Sequence, residues 1–575
     1  MSHTIQTGAT NTHSKLQILI HDTVLIGIMA VLAACGLIYE YLLSNYAGRV
    51  LGTVETAIYA MIGIMIVSMG IGAFTARIFK NPFSAFAWLE CLIALIGVTS
   101  TLVIAFIISF TSSLPHYISE VFNVPQGMFI ESDFFATLEE IAETSPYVMG
   151  FLLGALIGME IPLIARVRQH IYGEYLENNA GTIYGADYIG AGIGAAIWVM
   201  VLLSLHTMQA AAWTAAMNVV AGLIFLFRYR ERIHFPSLLL FLHGCLIVIL
   251  LILFEYGTGW ITNMSNMLYR DQVVYSRQSH YQHIAITERA IPGKPDVITD
   301  LYLNGRLQFS SADEQVYHSM LVYPAMAASR RHDKVLIIGG GDGLALRDVL
   351  KWSPQSVTLI DLDPQLVGLF SRQHYQEKLQ LPEKIQQRLT QLNQEAFSDP
   401  RVNTIFGDAF IEVKKLVKAQ NYYDTIIVDL PDPSHPDLNK LYSDHFYQHL
   451  RLLLQGDGAL VIQSTSPYHA KEAFQSIGKT VKFSEFKHVE QYRQNVPSFG
   501  EWGWTIATKQ GKSPRERLMA LRQMPIPDPW ITKELMMASF AFPLGFYNEL
   551  DAVKVNYLGS NTLYGYHHKA WQQDL

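Results

Sequence analysis

Seven runs of roughly 20 or more mostly apolar residues fill the first half of this chain, and they leave few architectures open. They lie at about 23–43, 54–79, 84–111, 146–165, 183–205, 208–227 and 236–256. Each is long enough as a helix to cross the ~30 Å hydrocarbon layer of a bilayer. Half of the 575 residues are hydrophobic and 16% are charged, against about 25% charged in ordinary soluble domains. The runs therefore predict membrane spans and not one oversized soluble core. After Tyr256 the texture changes: charged residues become frequent, and short β-type runs alternate with polar helical stretches through to Leu575. The expected organisation is an N-terminal tail over 1–22, a multi-pass α-helical membrane domain of about seven spans over 23–257, and an α/β half with its boundary near 257–270.

The first run follows about twenty polar residues and has no small-residue cleavage site, so it reads as a retained anchor in the cell membrane. Cys35, Cys91 and Cys245 all fall inside apolar runs, which argues against a disulfide framework or a zinc site. A formal charge of −7 is small for the length and points away from nucleic acid. Two stripes of small residues, Gly150/Gly154/Gly158 and Gly181/Gly185/Ala186/Gly190/Gly194, suit close helix packing in lipid. They also leave room for a membrane homodimer. Glu40, Glu90, Glu160 and Asp187 lie within the spans. Such acids form either interhelical hydrogen bonds or a polar intramembrane pocket for a cationic or lipidic ligand.

The sharpest local signal in the second half is Lys334–Arg347, where a β-branched apolar strand meets Gly339-Gly340-Gly341-Asp342-Gly343 and then a helix. Glycines there permit a tight turn and close backbone approach to a ligand. Three further apolar strands end in acids: Ser356–Ile360 at Asp361, Val402–Phe406 at Asp408-Ala409, and Thr425–Val428 at Asp429. Ligands of open α/β sheets bind at the carboxyl ends of strands, so four acids would converge on one ligand. A cationic sulfonium nucleoside with a free amine suits that pocket, and a pyrophosphate does not. The expected fold is a C-terminal α/β Rossmann-like domain of the class I methyltransferase type over 326–575, ending in a helical tail. A small β-rich subdomain over 268–325 precedes it.

From Tyr275 to Pro543 the sequence resembles the spermidine synthase (polyamine aminopropyltransferase) family, specifically its membrane-embedded branch. The likeness is carried by Tyr275–Gln282, Leu303–Gln308, Asp313-Glu314 with Tyr317-His318 and Met320, Gly339–Gly343, and Asp429-Leu430-Pro431-Asp432-Pro433. Gly158–Pro162, Asp187–Ala191 and the C-terminal stretch from Val555 to Trp571 look like the membrane branch. The resemblance implies small-molecule substrates, S-adenosylmethionine or its decarboxylated form, with no metal and no prosthetic group. It implies that Gln282 and Asp342 hold the aminopropyl or methionyl chain, Gly339 and Gly341 shape the turn, Asp361 takes the ribose hydroxyls, and Asp408 with Ala409 takes the adenine. Asp429 would deprotonate the incoming amine, oriented by Asp432 and Tyr317, and Gln308 and Gln463 would line the acceptor channel.

The residue types fit that chemistry: an ammonium cannot attack carbon until a carboxylate takes its proton. The acceptor side departs from the soluble members, with Leu430-Pro431 between the loop acids, Ser434-His435-Pro436 after them, and Phe499 where a tyrosine is usual. Glu501 is the remaining candidate for the distal ammonium of a diamine. Three outcomes stay open: aminopropyl transfer to a polyamine such as putrescine; a lyase giving methylthioadenosine and homoserine lactone; and a membrane methyltransferase or nucleotide-sensing transporter. The side of the membrane also stays open. Lys and Arg gather at Arg77/Lys80, Arg166/Arg168 and Arg228/Arg230/Arg232, whereas the acidic stretch 112–145, expected to be an outside loop, has none. Seven crossings then place the second half outside, while a nucleoside made in the cytoplasm argues the reverse.

Overall fold

The computed structural model describes residues 15–51, 54–122, 133–172, 179–269, 271–293, 296–376 and 379–573. The N-terminal tail up to residue 14 and positions 123–132 of the expected loop lie outside the described residues. The chain divides into two compact units, Met1–Arg270 and Asp271–Leu575.

The first unit is helical: α1 (Lys15–Leu51), α2 (Val54–Thr75), α3 (Pro82–Phe122), α4 (Asp133–Tyr172), α5 (Asn179–Met200), α6 (Thr207–Arg228) and α7 (Pro236–Asn266). Among the described residues seven helices are long and apolar enough to cross a membrane. Their sequences are apolar all round, so Phe74, Val199, Phe241 and Leu251 are exposed while Leu32, Phe86 and Phe225 fill the interior. The glycine stripes act in packing. A Cβ on Gly154 or Gly158 would strike the α2 backbone at Met65 or Met69, and one on Gly190 or Gly194 the α1 backbone at Ala30 or Ala34. Gly181 and Gly185 meet nothing, so the second stripe is used only at its C-terminal half.

Over its described residues, 112–122 and 133–145, the stretch expected as a loop is helical. α3 runs on to Phe122 and α4 begins at Asp133, with Pro115 and Pro146 inside the helices. Hydrophobicity reports the medium around a helix, whereas Glu139 and Glu140 are good helix formers wherever they sit. α7 likewise continues past Tyr256 to Asn266.

The second unit opens with an antiparallel sheet, β1 (Gln272–Gln278), β2 (His283–Ala290), β3 (Val297–Leu303) and β4 (Arg306–Ser310), in sequential order. Helix α8 (Glu314–Ala328) follows. A seven-stranded sheet is then built from β5 (Lys334–Gly339), β6 (Ser356–Asp361), β7 (Val402–Phe406), β8 (Tyr423–Asp429), β9 (Leu454–Gln463), β10 (His488–Val496) and β11 (Gly500–Thr508). Its order is β10-β11-β9-β8-β5-β6-β7, parallel from β7 to β9 and antiparallel at β11 and β10. The central strands are buried on both faces: Val335–Ile338 and Ile426–Val428 are at most 1% exposed, as continuous apolar runs in a parallel sheet must be. The chain winds outward through β5, β6 and β7, then returns to β8 on the other side of β5. That reversal opens a crevice at the carboxyl ends of β5 and β8.

Candidate active site

Gly339 pairs with Asp429 where β5 and β8 end. Gly339, Gly340 and Gly343 have φ of 82°, 68° and 76°, and a Cβ on Gly339 would collide with the Asp429 carbonyl. Only glycine meets both demands cheaply. The turn leaves Asp342 at the mouth of the crevice, with Oδ1 accepting from Leu344 N at 2.9 Å. At the end of β6, Asp361 accepts from Asp363 N at 2.8 Å. Its Oδ2 lies 2.7 Å from the place a Cβ on Gly341 would occupy, so the missing side chain keeps that carboxyl open. Asp408 caps the helix Ala409–Lys418 through Phe410 N (2.9 Å), and its other oxygen meets Lys440 Nζ at 2.6 Å. Ala409 is buried at the first turn.

Asp342, Asp361 and Asp429 are withdrawn from water, which raises their proton affinity. Asp361 is pushed up to about 7 and Asp429 up to about 6, and Asp342 is raised as well. A cation among them would relieve that crowding. One is already nearby. Burial disfavours a charged His318, but the Glu314 carboxylate 3.0 Å from its Nδ1 outweighs burial and lifts it to about 9. The resulting imidazolium draws Asp342 and Asp429 partly back down. Glu314 is itself locked by Arg347 in a bidentate pair (2.8 and 3.0 Å), and Arg347 also binds Asp348 at 2.9 Å. Burial opposes the Glu314 charge, yet His318 and Arg347 hold it down at about 2.

Tyr317, one residue before His318 on α8, donates from its hydroxyl to Asp429 Oδ1 at 2.7 Å. Phe499 meets the Tyr317 ring edge-on at a centroid distance of 5.9 Å. Gln463 at the end of β9 donates to Leu430 O and to Asp432 Oδ1, both at 2.9 Å. Thr465 donates to Asp432 Oδ2 at 3.2 Å, and His567 Nε2 of the helix Thr562–Gln573 lies 3.3 Å from that same oxygen. The structure thus joins Tyr317 to Asp429 and Gln463 to Asp432.

Other expected residues are placed differently. Gln282 donates to Asp363 Oδ2 at 3.1 Å and not to Asp342, sharing that oxygen with Ser279 Oγ at 2.6 Å. Gln308 turns back on its own strand, toward the carbonyls of Arg306 and Leu307. Glu501 pairs with Arg493 on the neighbouring strand β10, so its charge is already neutralised and it is withdrawn as the anchor for a distal ammonium.

Sequence reasoning missed five contributors. Asp363 was legible as a helix cap, lying just before Pro364 at the start of a helix. The i, i+4 spacing of Glu314 and His318 was legible as an ion pair. Lys440 and His567 gave no signal, because each reaches its acid across a long chain separation.

Residues 314–518 match the spermine/spermidine synthase domain family. The chain is 53% identical over 552 residues to a polyamine aminopropyltransferase of Shewanella oneidensis, covering 96% of this chain and 95% of that one. It is 30% identical to a polyamine aminopropyltransferase of Oceanobacillus iheyensis, covering 94% and 96%. Against polyamine aminopropyltransferase 1 of Streptomyces coelicolor it is 33% identical, covering 84% of each chain. A crystal structure of spermidine synthase in complex with the transition state analogue AdoDATO aligns over 49% of this chain and 88% of its own, at 28% identity and a TM-score of 0.42. The chain belongs to the spermidine synthase (polyamine aminopropyltransferase) family of enzymes.

Proposed function

We propose that the second unit transfers an aminopropyl group from decarboxylated S-adenosylmethionine to a polyamine such as putrescine, releasing 5'-methylthioadenosine. The observation that carries this reading is the hydrogen-bonded pair Tyr317–Asp429 beside Asp342 at the switch between β5 and β8. In the transfer, the amine nitrogen forms a bond to the aminopropyl carbon attached to sulfur. The carbon–sulfur bond breaks, its electron pair goes to sulfur, and the amine proton goes to Asp429. The sulfonium is a good leaving group, so the protein mainly orients the nucleophile and excludes water. Asp342 pairs with the amine of the aminopropyl chain, Asp361 with the ribose hydroxyls, and Asp408 with Ala409 holds the adenine. Gln282 acts through Asp363, and Gln463, Thr465 and His567 orient Asp432 toward the acceptor. Asp429→Asn should remove transfer while nucleoside binding persists; turnover near wild type would overturn the assignment.

The departures on the acceptor side, with Glu501 held by Arg493, keep the lyase as a second reading on the same scaffold. It would use S-adenosylmethionine and its own carboxylate as nucleophile. The relatives lend no support to a methyltransferase or a nucleotide-sensing transporter.

We further propose that the chain is a multi-pass protein of the cell membrane and belongs to a membrane-embedded branch of its family. Two observations support this: seven helices of sufficient length and apolarity, and a likeness to the Shewanella relative that takes in 96% of the chain and hence the helical unit. Two of the basic helix ends meet the start of α1, Arg168 at Asp22 (2.9 Å) and Arg228 at His21 (2.8 Å). The positive-inside rule puts that end in the cytoplasm. An odd number of spans then brings the chain out of α7 on the other face.

A further inference from the structure

Inside the first unit a set of polar atoms converges with nothing to bind. Glu90 of α3 is fully buried, and one of its oxygens accepts from Asn218 Nδ2 of α6 at 3.2 Å. The other Glu90 oxygen, Asn218 Oδ1 and His243 Nε2 of α7 are buried and lack a hydrogen-bond partner among the described residues. The His243 ring is fixed by its Nδ1, which lies 2.9 Å from the Leu239 carbonyl. A carbonyl only accepts, so Nδ1 carries the hydrogen and Nε2 presents a lone pair. Gly222, one helical turn beyond Asn218, lies beside His243 and Glu90. A Cβ there would lie 2.8 Å from His243 Nε2 and 3.3 Å from Glu90 Cβ. Three helices thus bring buried acceptors without donors around Gly222, where any side chain would press on the His243 ring.

Buried acceptors without donors are costly and rare, and an acid at this depth is costlier still. Glu90 stands eight residues beyond Pro82 (90 − 82) in α3, about 12 Å along the helix at ~1.5 Å per residue. No Lys or Arg pairs with it among the described residues. What the set lacks is N–H donors and a positive charge. A carboxylate, an amide oxygen and an imidazole lone pair match the three hydrogens of a primary ammonium. Among the described residues no three His, Cys, Asp or Glu side chains are grouped to hold a metal ion.

We propose that the helical unit carries an amine site distinct from the one in the second unit. It takes the protonated primary ammonium of an alkylamine, with Glu90 as counter-charge and Asn218 and His243 as the further acceptors. The choice of putrescine as probe rests on the aminopropyl-transfer reading; the site itself does not.

The test counts putrescine bound per chain by equilibrium dialysis, using full-length protein in detergent. Glu90→Gln should remove one bound putrescine per chain, or weaken it at least tenfold. Its turnover with decarboxylated S-adenosylmethionine should stay within twofold of wild type, which also shows that the variant folds. Gly222→Ala, which crowds the His243 ring without altering charge, should weaken the same site and serves if Glu90→Gln fails to fold. Glu90→Asp should keep it. An unchanged count in folded Glu90→Gln or Gly222→Ala overturns the proposal, as does displacement of putrescine by potassium or sodium at equal concentration. If wild type transfers nothing but Glu90→Gln still loses one putrescine, this site stands and the transfer reading falls.

Discussion

The Tyr317 hydroxyl on α8 donates to Asp429 Oδ1 at the end of β8 across 2.7 Å. This single hydrogen bond ties the helix that follows the small sheet to the switch point of the large one. It also tunes the carboxylate. Withdrawal from water pushes Asp429 up, His318 and the tyrosine donor pull it part of the way back, and it stands at about 6.

A pH profile follows. If Asp429 is the base it must be ionised to take a proton, so kcat/KM should fall about tenfold per unit as pH drops below about 6. Tyr317→Phe removes a donor that favours the carboxylate, so its acidic limb should move to higher pH. A profile flat down to pH 5, or a limb unmoved in Tyr317→Phe, would contradict the role of this pair.

The network under the site should be structural as well as electrostatic. Arg347→Met leaves Glu314 and Asp348 buried without their guanidinium, and breaking such a pair costs about 3–5 kcal/mol. Thermal unfolding of the variant should show a markedly lower Tm. Stability should depend on pH from both sides. His318, raised to about 9, contributes fully below its ordinary value of 6.5, and that contribution is lost as pH rises through about 9. Glu314, lowered to about 2, contributes above its ordinary value of 4.5 and loses that contribution as pH falls toward about 2.

His567 is buried and reaches Asp432 from the C-terminal helix. If Asp432 positions the acceptor, His567→Ala should raise the KM for the amine several-fold while nucleoside affinity stays within twofold. An equal loss in both would mean that the helix only supports the fold.

Membrane topology gives an independent check. Reporter fusions in the loop at Arg230–Arg232 and after Asn266 should report opposite faces, because the proposed span α7 separates them. The same face for both would remove α7 as a span.

The residues legible in the sequence are those whose role is local. Gly339, Gly340 and Gly343 sit in a turn that demands positive φ, and Asp342, Asp361, Asp408 and Asp429 follow apolar strands directly. The seven apolar runs announce helices by length alone, though not where those helices end, since polar residues such as Glu139 continue α4 beyond its apolar stretch. What escaped is non-local. Glu501 looks free until Arg493 is placed on the adjacent strand, and Gln308 looks like a channel residue until its amide folds back on Arg306 and Leu307. Lys440 and His567 reach Asp408 and Asp432 only through folding of distant segments. The orphaned acceptors around Gly222 likewise require three helices to be packed before they can be recognised.

The most direct measurement identifies the products when purified full-length protein is given decarboxylated S-adenosylmethionine with and without putrescine, and S-adenosylmethionine alone. Aminopropyl transfer predicts methylthioadenosine and spermidine in equal amounts, only when the decarboxylated substrate and the amine are both present. Methylthioadenosine from S-adenosylmethionine alone, with homoserine lactone beside it, would contradict that account and make the protein a lyase.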